Sequence, residues 1–456
     1  MGSMPETPPG TAPSASPREV LSLAVPAFLA LVAEPLFLMV DAAVVGRLGV
    51  VPLAGLGTAS SVMLTAAGVF VFLAYGTTSV VARQYGAGSV RGAIEVGTGG
   101  VWLAAALGVL GGFVVGGLAP WLAAAFGSSP AALEQAITYL RISALGLPAM
   151  LLVLAATGIL RGLQDTRTPL IASVLGFGGN ALLSVLLVLG VGMGIAGAAW
   201  GTVIAQWGMA LGLLAVVLRE GHAVSASLRP HVGRVLDAAL DGAPLLVRTL
   251  ALRAIILLTV AVAADFGDVP LAAYQVTTTV WSLLTFALDA LAIAGQALTG
   301  AALGSGDAGR ARAATGLMVR WGVWGGVLLG LVVLALHRVL PVLFTQDPQV
   351  RAGIAAGLIV IALAQPLSGY VFVVDGVLIG AGDGRWLAGS MILVLLAYLP
   401  IIWLTRVLGG DHGDSAAVFA LWLAFTGFML VRGGFMAWRI RGDRWAVTGA
   451  VRPRRA

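Results

Sequence analysis

The sequence predicts an all-α polytopic membrane protein, in which twelve transmembrane helices form two six-helix lobes related by a parallel internal repeat. Two observations lead to this prediction. The chain of 456 residues is 59% hydrophobic and 10% charged, whereas a water-soluble domain has roughly 45–50% apolar and about 25% charged residues. The two halves of the chain also match one another at a constant offset of 218 residues, which indicates a duplication.

Apolar segments divide the chain into blocks of the length needed to cross a bilayer, for which a helix requires about 20 residues. They are predicted at 20–43, 53–77, 94–117, 133–158, 168–190, 195–217, 238–262, 272–299, 313–336, 350–377, 386–407 and 414–438. The predicted organisation is a disordered N-terminal tail (1–17), an N-terminal lobe (18–217), a cytoplasmic linker (218–237), a C-terminal lobe (238–438) and a basic cytoplasmic tail (439–456).

The internal repeat depends on positions that chance would seldom match. Gly and Ala coincide often in such a chain, but matched prolines and a matched Asp–Arg pair at one offset do not. The pairs are Pro26 with Pro244, Pro148 with Pro366, Asp165 with Asp383 and Arg167 with Arg385. Each half has six segments and therefore enters the membrane from the same side, as parallel repeats do. Two such lobes enclose a central cleft, and rocking of the lobes would give alternating access.

Arginine counts in the connecting segments predict the orientation, because cytoplasmic loops carry the excess of positive charge. With the N-terminus inside, 17 arginines lie on the cytoplasmic side and 4 on the outside. Both termini are therefore predicted to be cytoplasmic, in the plasma membrane. The arginines flank apolar segments and form no single patch, which argues against a nucleic-acid partner.

Ionisable residues at membrane depth are costly and therefore mark candidate functional positions. Asp41 is the preferred coupling residue, because a carboxyl group in a dry site can take up a proton and release it when water enters. Glu34, in the same segment, is a candidate relay or cation ligand. Pro26 is predicted to kink or weaken this helix, since proline removes a backbone donor. Arg248 and Asp289 are a possible ion pair of the C-terminal lobe, either structural or functional.

Polar side chains in segments five and six add to the candidate site. Asn180 and Ser184 are four residues apart and so share a helix face, and Thr202 lies on the next segment. With Asp41 they would offer oxygen ligands to a proton or a small cation such as sodium. Hydrogen bonding between helices explains the same residues equally well.

Several stretches resemble the multidrug and toxic compound extrusion (MATE) family, and among its members the DNA-damage-inducible F branch. The resemblance covers nearly all of residues 18–440. The matching stretches are Glu34-Pro35-Leu36 through Asp41 to Gly49, Ala82 to Gly88, Gly158 to Pro169, and Asp289 to Asp307.

This resemblance implies a secondary active antiporter that exports amphipathic, often cationic small molecules in exchange for protons or sodium ions. It places Asp41 on the coupling carboxylate of the family, and Asn180 and Thr202 on an N-lobe cation site. The family has an Asp where this chain has Ser184, which weakens a sodium site and favours protons. A lipid-linked precursor flippase and an intramembrane enzyme are the alternatives to transport of drug-like compounds.

No cofactor is predicted, and neither is enzymatic activity. The chain has no Cys, which excludes thiolate chemistry, and without Lys it has no Walker loop for ATP hydrolysis. A metal is expected only as a possible sodium ion at Asp41, Asn180 and Thr202. The expected partners are the small-molecule substrate and membrane lipids, and the chain is expected to be a monomer.

Overall fold

The part of the chain that the computed structural model describes contains twelve helices that are long and apolar enough to cross a membrane. The structure describes residues 16–125, 129–409 and 413–451, apart from the side chains of Glu34 and Phe37. The predicted fold class is thereby confirmed. Most of the predicted N-terminal tail, residues 1–15, and the last five residues of the basic tail lie outside the described part.

The first six spans form the N-terminal lobe: α1 (Pro17–Gly46), α2 (Val50–Gly86), α3 (Val90–Gly117), α4 (Pro130–Gly162), α5 (Arg167–Gly190) and α6 (Ile195–Ala223). The next six form the C-terminal lobe: α7 (Val232–Asp265), α8 (Asp268–Gly304), α9 (Ala308–Leu336), α10 (Pro348–Gly380), α11 (Gly384–Leu408) and α12 (Asp414–Arg441). A one-residue break at Val71 interrupts α2, a 3-10 turn at Ala144–Gly146 interrupts α4, and α5 ends in a π-helical turn. Two short helices, Ala119–Ala124 and Leu340–Phe344, follow α3 and α9.

Local sequence sets where α1 begins. The Ser16 side chain accepts a hydrogen bond from the Glu19 backbone, while the Glu19 carboxylate accepts one from the Ser16 backbone. This reciprocal capping box satisfies two of the donors that a helix start leaves unpaired. Pro17 at the first helical position lacks a donor that would otherwise need a partner.

Helix ends differ from the predicted boundaries at the lobe junction and at the C-terminus. The connection between α6 and α7 is 224–231, shorter than the predicted linker 218–237. Likewise, α12 continues to Arg441, past the predicted lobe end at 438. The reason is physical: an apolar window detects the part of a helix that lies in hydrocarbon, while backbone hydrogen bonding continues into charged residues outside it.

The internal repeat is visible in the backbone. Gly49 and its partner Gly267 both adopt a left-handed conformation before a helix, with φ of 117° and 107°. Gly88 and Gly306 do the same in the next matched loop, with φ of 81° and 84°. Glycine adopts positive φ at the lowest cost. The matched glycines therefore show that the two lobes have the same loop conformations at these positions.

The two lobes meet closely where α2 crosses α8. A side chain on Gly86 would collide with the Ala301 backbone, and a side chain on Gly304 would collide with the Arg83 backbone. Each contact is the repeat image of the other, since both partners are displaced by 218 residues. The pseudo-two-fold axis therefore passes through this crossing, at the end of the bundle where α1 begins and α12 ends.

Close helix packing inside the C-terminal lobe gives a test of the fold. Gly322 on α9 lies against α10, and a Cβ there would come within 2.6 Å of the Gly369 carbonyl oxygen. Gly322→Ala is expected to lower the free energy of unfolding by about 1–3 kcal/mol through overpacking. Gly316→Ala, on the same helix with open space around it, is the matched control and should not destabilise. Apparent melting temperatures in detergent compare them; equal values would contradict the α9–α10 packing.

Candidate functional site

The buried carboxylate of Asp41 is the centre of a polar cluster between α1 and α5. The Asn180 side-chain amide donates to Asp41 Oδ2 at 2.9 Å, and Ser184 Oγ donates to Asp41 Oδ1 at 2.7 Å. All three side chains are buried. Because Asn180 and Ser184 share one face of α5, a single packed helix supplies both donors. Both carboxylate oxygens are thus held inside the lobe, away from lipid.

Thr202 extends this cluster onto α6. Its hydroxyl lies 3.4 Å from Asn180 Oδ1 and donates to the Ala198 carbonyl at 3.1 Å. Tyr139 of α4 continues the chain, with its hydroxyl 3.4 Å from that of Thr202. The structure therefore brings together four residues that the sequence singled out, Asp41, Asn180, Ser184 and Thr202, and adds Tyr139. A tyrosine in an apolar segment carries no signal in the sequence that separates it from ordinary packing.

Pro26 lies inside α1, which is helical from Pro17 to Gly46 without interruption. Because proline has no backbone N–H, the carbonyl four residues before it receives no helical hydrogen bond. For Pro26 this is the carbonyl of Ser22. The Thr166 hydroxyl, in the connection between α4 and α5, lies 3.5 Å from the Ser22 carbonyl oxygen. The helix is thus supported at its weak point from within the same lobe. The predicted Glu34 side chain lies outside the described part of the structure.

The predicted pairing of Arg248 with Asp289 is wrong. Arg248 on α7 binds both carboxylate oxygens of Asp375 on α10, with Nε donating to Oδ1 at 3.1 Å and Nη2 donating to Oδ2. Arg432 on α12 binds the same carboxylate, with Nη2 2.8 Å from Oδ1. Asp289 is half-buried on α8, and within the described ranges no ion pair joins it to Arg248. One carboxylate thus holds two guanidinium groups inside the C-terminal lobe.

The sequence analysis selected neither Arg432 nor Asp375 as a candidate residue. Arg432 is 5% exposed and therefore lies inside the lobe. Asp375 was overlooked, although the signal was present: it is an acidic residue inside an apolar segment, between Val374 and Gly376. A buried arginine requires a buried acceptor. If either residue is known to be buried, the other is therefore the expected partner.

Chemically, the N-terminal cluster and the C-terminal cluster differ. Among the described residues, Asp41 receives hydrogen bonds only from the neutral groups of Asn180 and Ser184, so it can change its protonation state without leaving another charge unpaired. Asp375 forms ion pairs with two permanent cations, and its protonation would remove the ion-pair partner of both. The N-terminal cluster is therefore the one suited to reversible proton binding, and the C-terminal cluster is suited to holding helices together.

A family model, MatE, matches residues 26–186 and 244–404. Both the starts and the ends of these two segments are 218 residues apart, which is the offset of the internal repeat. The two matches together cover more than half of the chain. The first ends within α5 and the second within α11, which is the fifth helix of its lobe.

Relatives of known name match over most of their length. The chain is 31% identical to Protein DETOXIFICATION 44, chloroplastic, of Arabidopsis thaliana over 445 residues, covering 94% of this chain and 81% of that protein. It is 29% identical to DNA damage-inducible protein F of Escherichia coli K12, covering 93% of each. Among solved structures, a MOP superfamily transporter of Pyrococcus furiosus superposes with a TM-score of 0.84 at 21% identity, covering 93% of this chain and 95% of that one.

Proposed function

Because the chain belongs to the MatE family of membrane transporters, we propose that it is a secondary antiporter that exports amphipathic, often cationic small molecules in exchange for protons. The observation that carries this proposal is the Asp41 cluster: a buried carboxylate bonded to Asn180 and Ser184 within the N-terminal lobe. The proposed orientation has both termini in the cytoplasm of a plasma-membrane protein, in accord with the arginine distribution.

The choice of proton over sodium rests on the ligands around Asp41. Sodium, like other hard cations, is bound by several oxygen atoms, and additional anionic ligands increase its affinity. The partners of Asp41 here, Asn180 and Ser184, are neutral, and the described residues contain no group of three or more acidic or histidine side chains that could hold a metal ion. One carboxylate with neutral donors is sufficient for one proton, so the proton is the favoured coupling ion.

The proposed cycle uses protonation of Asp41 as its switch. With Asp41 ionised, an outward-open cleft between the lobes holds the exported molecule. A proton from outside neutralises Asp41 and removes the charge that Asn180 and Ser184 solvate, α1 bends at Pro26, and the molecule is released. The cleft then closes, reopens inward, and loses the proton. Each proton contributes about 2.3 kcal/mol per 100 mV and about 1.4 kcal/mol per pH unit.

Transport into proteoliposomes tests this proposal. The purified protein is reconstituted with a fluorescent organic cation such as ethidium, and a pH gradient or a sodium gradient is imposed separately. We expect dye movement that is driven by the pH gradient, is abolished by a protonophore and does not require sodium. Movement that requires sodium and ignores the pH gradient would replace the proton with sodium, and no movement under either gradient would contradict antiport of organic cations.

A further inference from the structure

The chain does not leave the bundle where α12 ends. Trp445 is 1% exposed, and its indole nitrogen donates to the Ile440 carbonyl at 3.2 Å. Four residues later the backbone nitrogen of Gly449 donates to the Leu303 carbonyl at 2.8 Å, at the end of α8. Residues 442–451, here called the C-terminal strap, therefore fold back across the end of the bundle where α2 crosses α8.

The strap is held by an arginine of the opposite lobe. Arg83 on α2 is 2% exposed and donates to the carbonyls of Gly449 and Val447, both at 2.9 Å. It also donates to the Ala381 carbonyl at 2.7 Å, just after α10. One N-lobe guanidinium thus binds three backbone carbonyls of the C-terminal lobe and its extension. Hydrogen bonds from a charged donor are stronger than those between neutral groups.

The position of these bonds gives them a conformational role. They lie at the α2–α8 crossing, where the Gly86 and Gly304 contacts show the lobes to be closed against one another. If the lobes separate at this end, Arg83 must leave the strap, since Arg83 moves with α2 and the strap moves with α12. The repeat partner of Arg83 is Ala301, which has no side-chain donor, so the duplication provides no equivalent bond on the other side of the axis.

We propose that the C-terminal strap and Arg83 form a latch that holds the two lobes closed at this end and must release before the protein opens there. This proposal rests on the alternating-access cycle proposed above. In the orientation with cytoplasmic termini, the latch stabilises the state closed to the cytoplasm. Release of the latch then becomes a step of the transport cycle that is separate from protonation of Asp41.

Distance measurements between spin labels on the two lobes test the latch directly. The chain has no native cysteine, so Glu220→Cys on α6 and Ala313→Cys on α9, both at exposed positions, label the two lobes specifically. Gly449→Val is the main variant. The φ angle at Gly449 is +115°, a conformation that valine disfavours, while a Cβ there would make only an ordinary contact of 3.8 Å with the Val451 carbonyl oxygen. Gly442→Val is the matched control, since Gly442 is extended with φ of −91°.

We expect Gly449→Val to raise the ratio of open to closed populations at this end by about tenfold or more, the change produced by losing one hydrogen bond of a charged donor. Gly442→Val should have the same ratio of open to closed populations as the unmodified chain. Arg83→Gln and a chain shortened after Arg444 are expected to shift the population in the same direction as Gly449→Val. A chain shortened after Val451 removes only residues beyond the strap and should remain closed.

Two results would overturn the latch. Distance distributions that are the same in Gly449→Val, Arg83→Gln and the unmodified chain would show that these bonds do not hold the lobes. A shift in Arg83→Gln without one in Gly449→Val would assign the effect to the Ala381 carbonyl and remove the strap from it. Gly449→Val retains the buried Trp445. It therefore tests whether the strap holds the lobes closed even if the shortened chain does not fold.

The spin-label measurement needs neither a substrate nor a coupling ion. A failure of the proposed proton antiport would appear in the proteoliposome assay and leave the label distances unchanged. A failure of the latch would appear in the distances and leave proton-driven dye movement intact.

Discussion

Replacing Asp41 with asparagine is expected to abolish proton-driven transport while the protein still folds. The amide has nearly the same shape as the carboxyl group, so the packing between α1 and α5 is retained. It cannot gain or lose a proton, however, so the switch is fixed in a neutral form. We expect the initial rate of dye movement under an imposed pH gradient to fall by about a hundredfold or more, equivalent to about 2.7 kcal/mol.

The control for this variant is Asp289→Asn, which removes a membrane-embedded carboxylate outside the Asp41 cluster. It should retain most of the pH-driven rate if coupling belongs to the N-terminal lobe. Elution as a single species in size-exclusion chromatography would show that Asp41→Asn is folded. Undiminished pH-driven movement in folded Asp41→Asn would remove Asp41 from the coupling mechanism.

Replacing Asp375 with asparagine is expected to cause a large loss of stability. The carboxylate forms ion pairs with Arg248 and Arg432, which are 6% and 5% exposed. Removal of its charge takes the ion-pair partner from both buried guanidinium groups. Breaking a buried ion pair by removing one partner costs about 3–5 kcal/mol. The apparent melting temperature in detergent should fall by on the order of 10 °C.

An exposed ion pair of the same lobe provides the comparison. Asp265 pairs with Arg406 at 2.9 Å, with side chains 46% and 60% exposed, and such surface pairs contribute about 0–1 kcal/mol. Asp265→Asn should therefore leave the melting temperature almost unchanged. If the two variants melted at the same temperature, the Asp375 cluster would not be a stabilising element of the C-terminal lobe.

Much of the fold could be predicted because hydrocarbon imposes simple requirements on sequence. The length of apolar segments gave the number of spans, and matched prolines such as Pro26 and Pro244 revealed the duplication. Helix ends could not be placed as well, because hydropathy reports the membrane boundary and not the end of backbone hydrogen bonding. For that reason α7 begins at Val232, inside the predicted linker.

Residues of the N-terminal site could be grouped from the sequence, whereas those of the C-terminal lobe could not be paired. Asn180 and Ser184 are neighbours on one helix face, so their spacing indicates that they act together. Arg248 and Asp375 are 127 positions apart on different helices. Hydropathy can identify Arg248 and Asp375 as charged residues in apolar segments. Which of them pair depends on which helices pack together and on how each helix is rotated about its axis.

While the lobes stay closed at the α2–α8 crossing, that crossing would serve as a fulcrum. With 37 residues, α8 is about 55 Å long at 1.5 Å per residue, and Gly304 lies at its very end. A tilt of about 10° around that point would carry the far end of α8 sideways by about 10 Å. Close backbone contact at one end, with Gly86 against Ala301 and Gly304 against Arg83, therefore lets a small rotation open a wide gap at the other end.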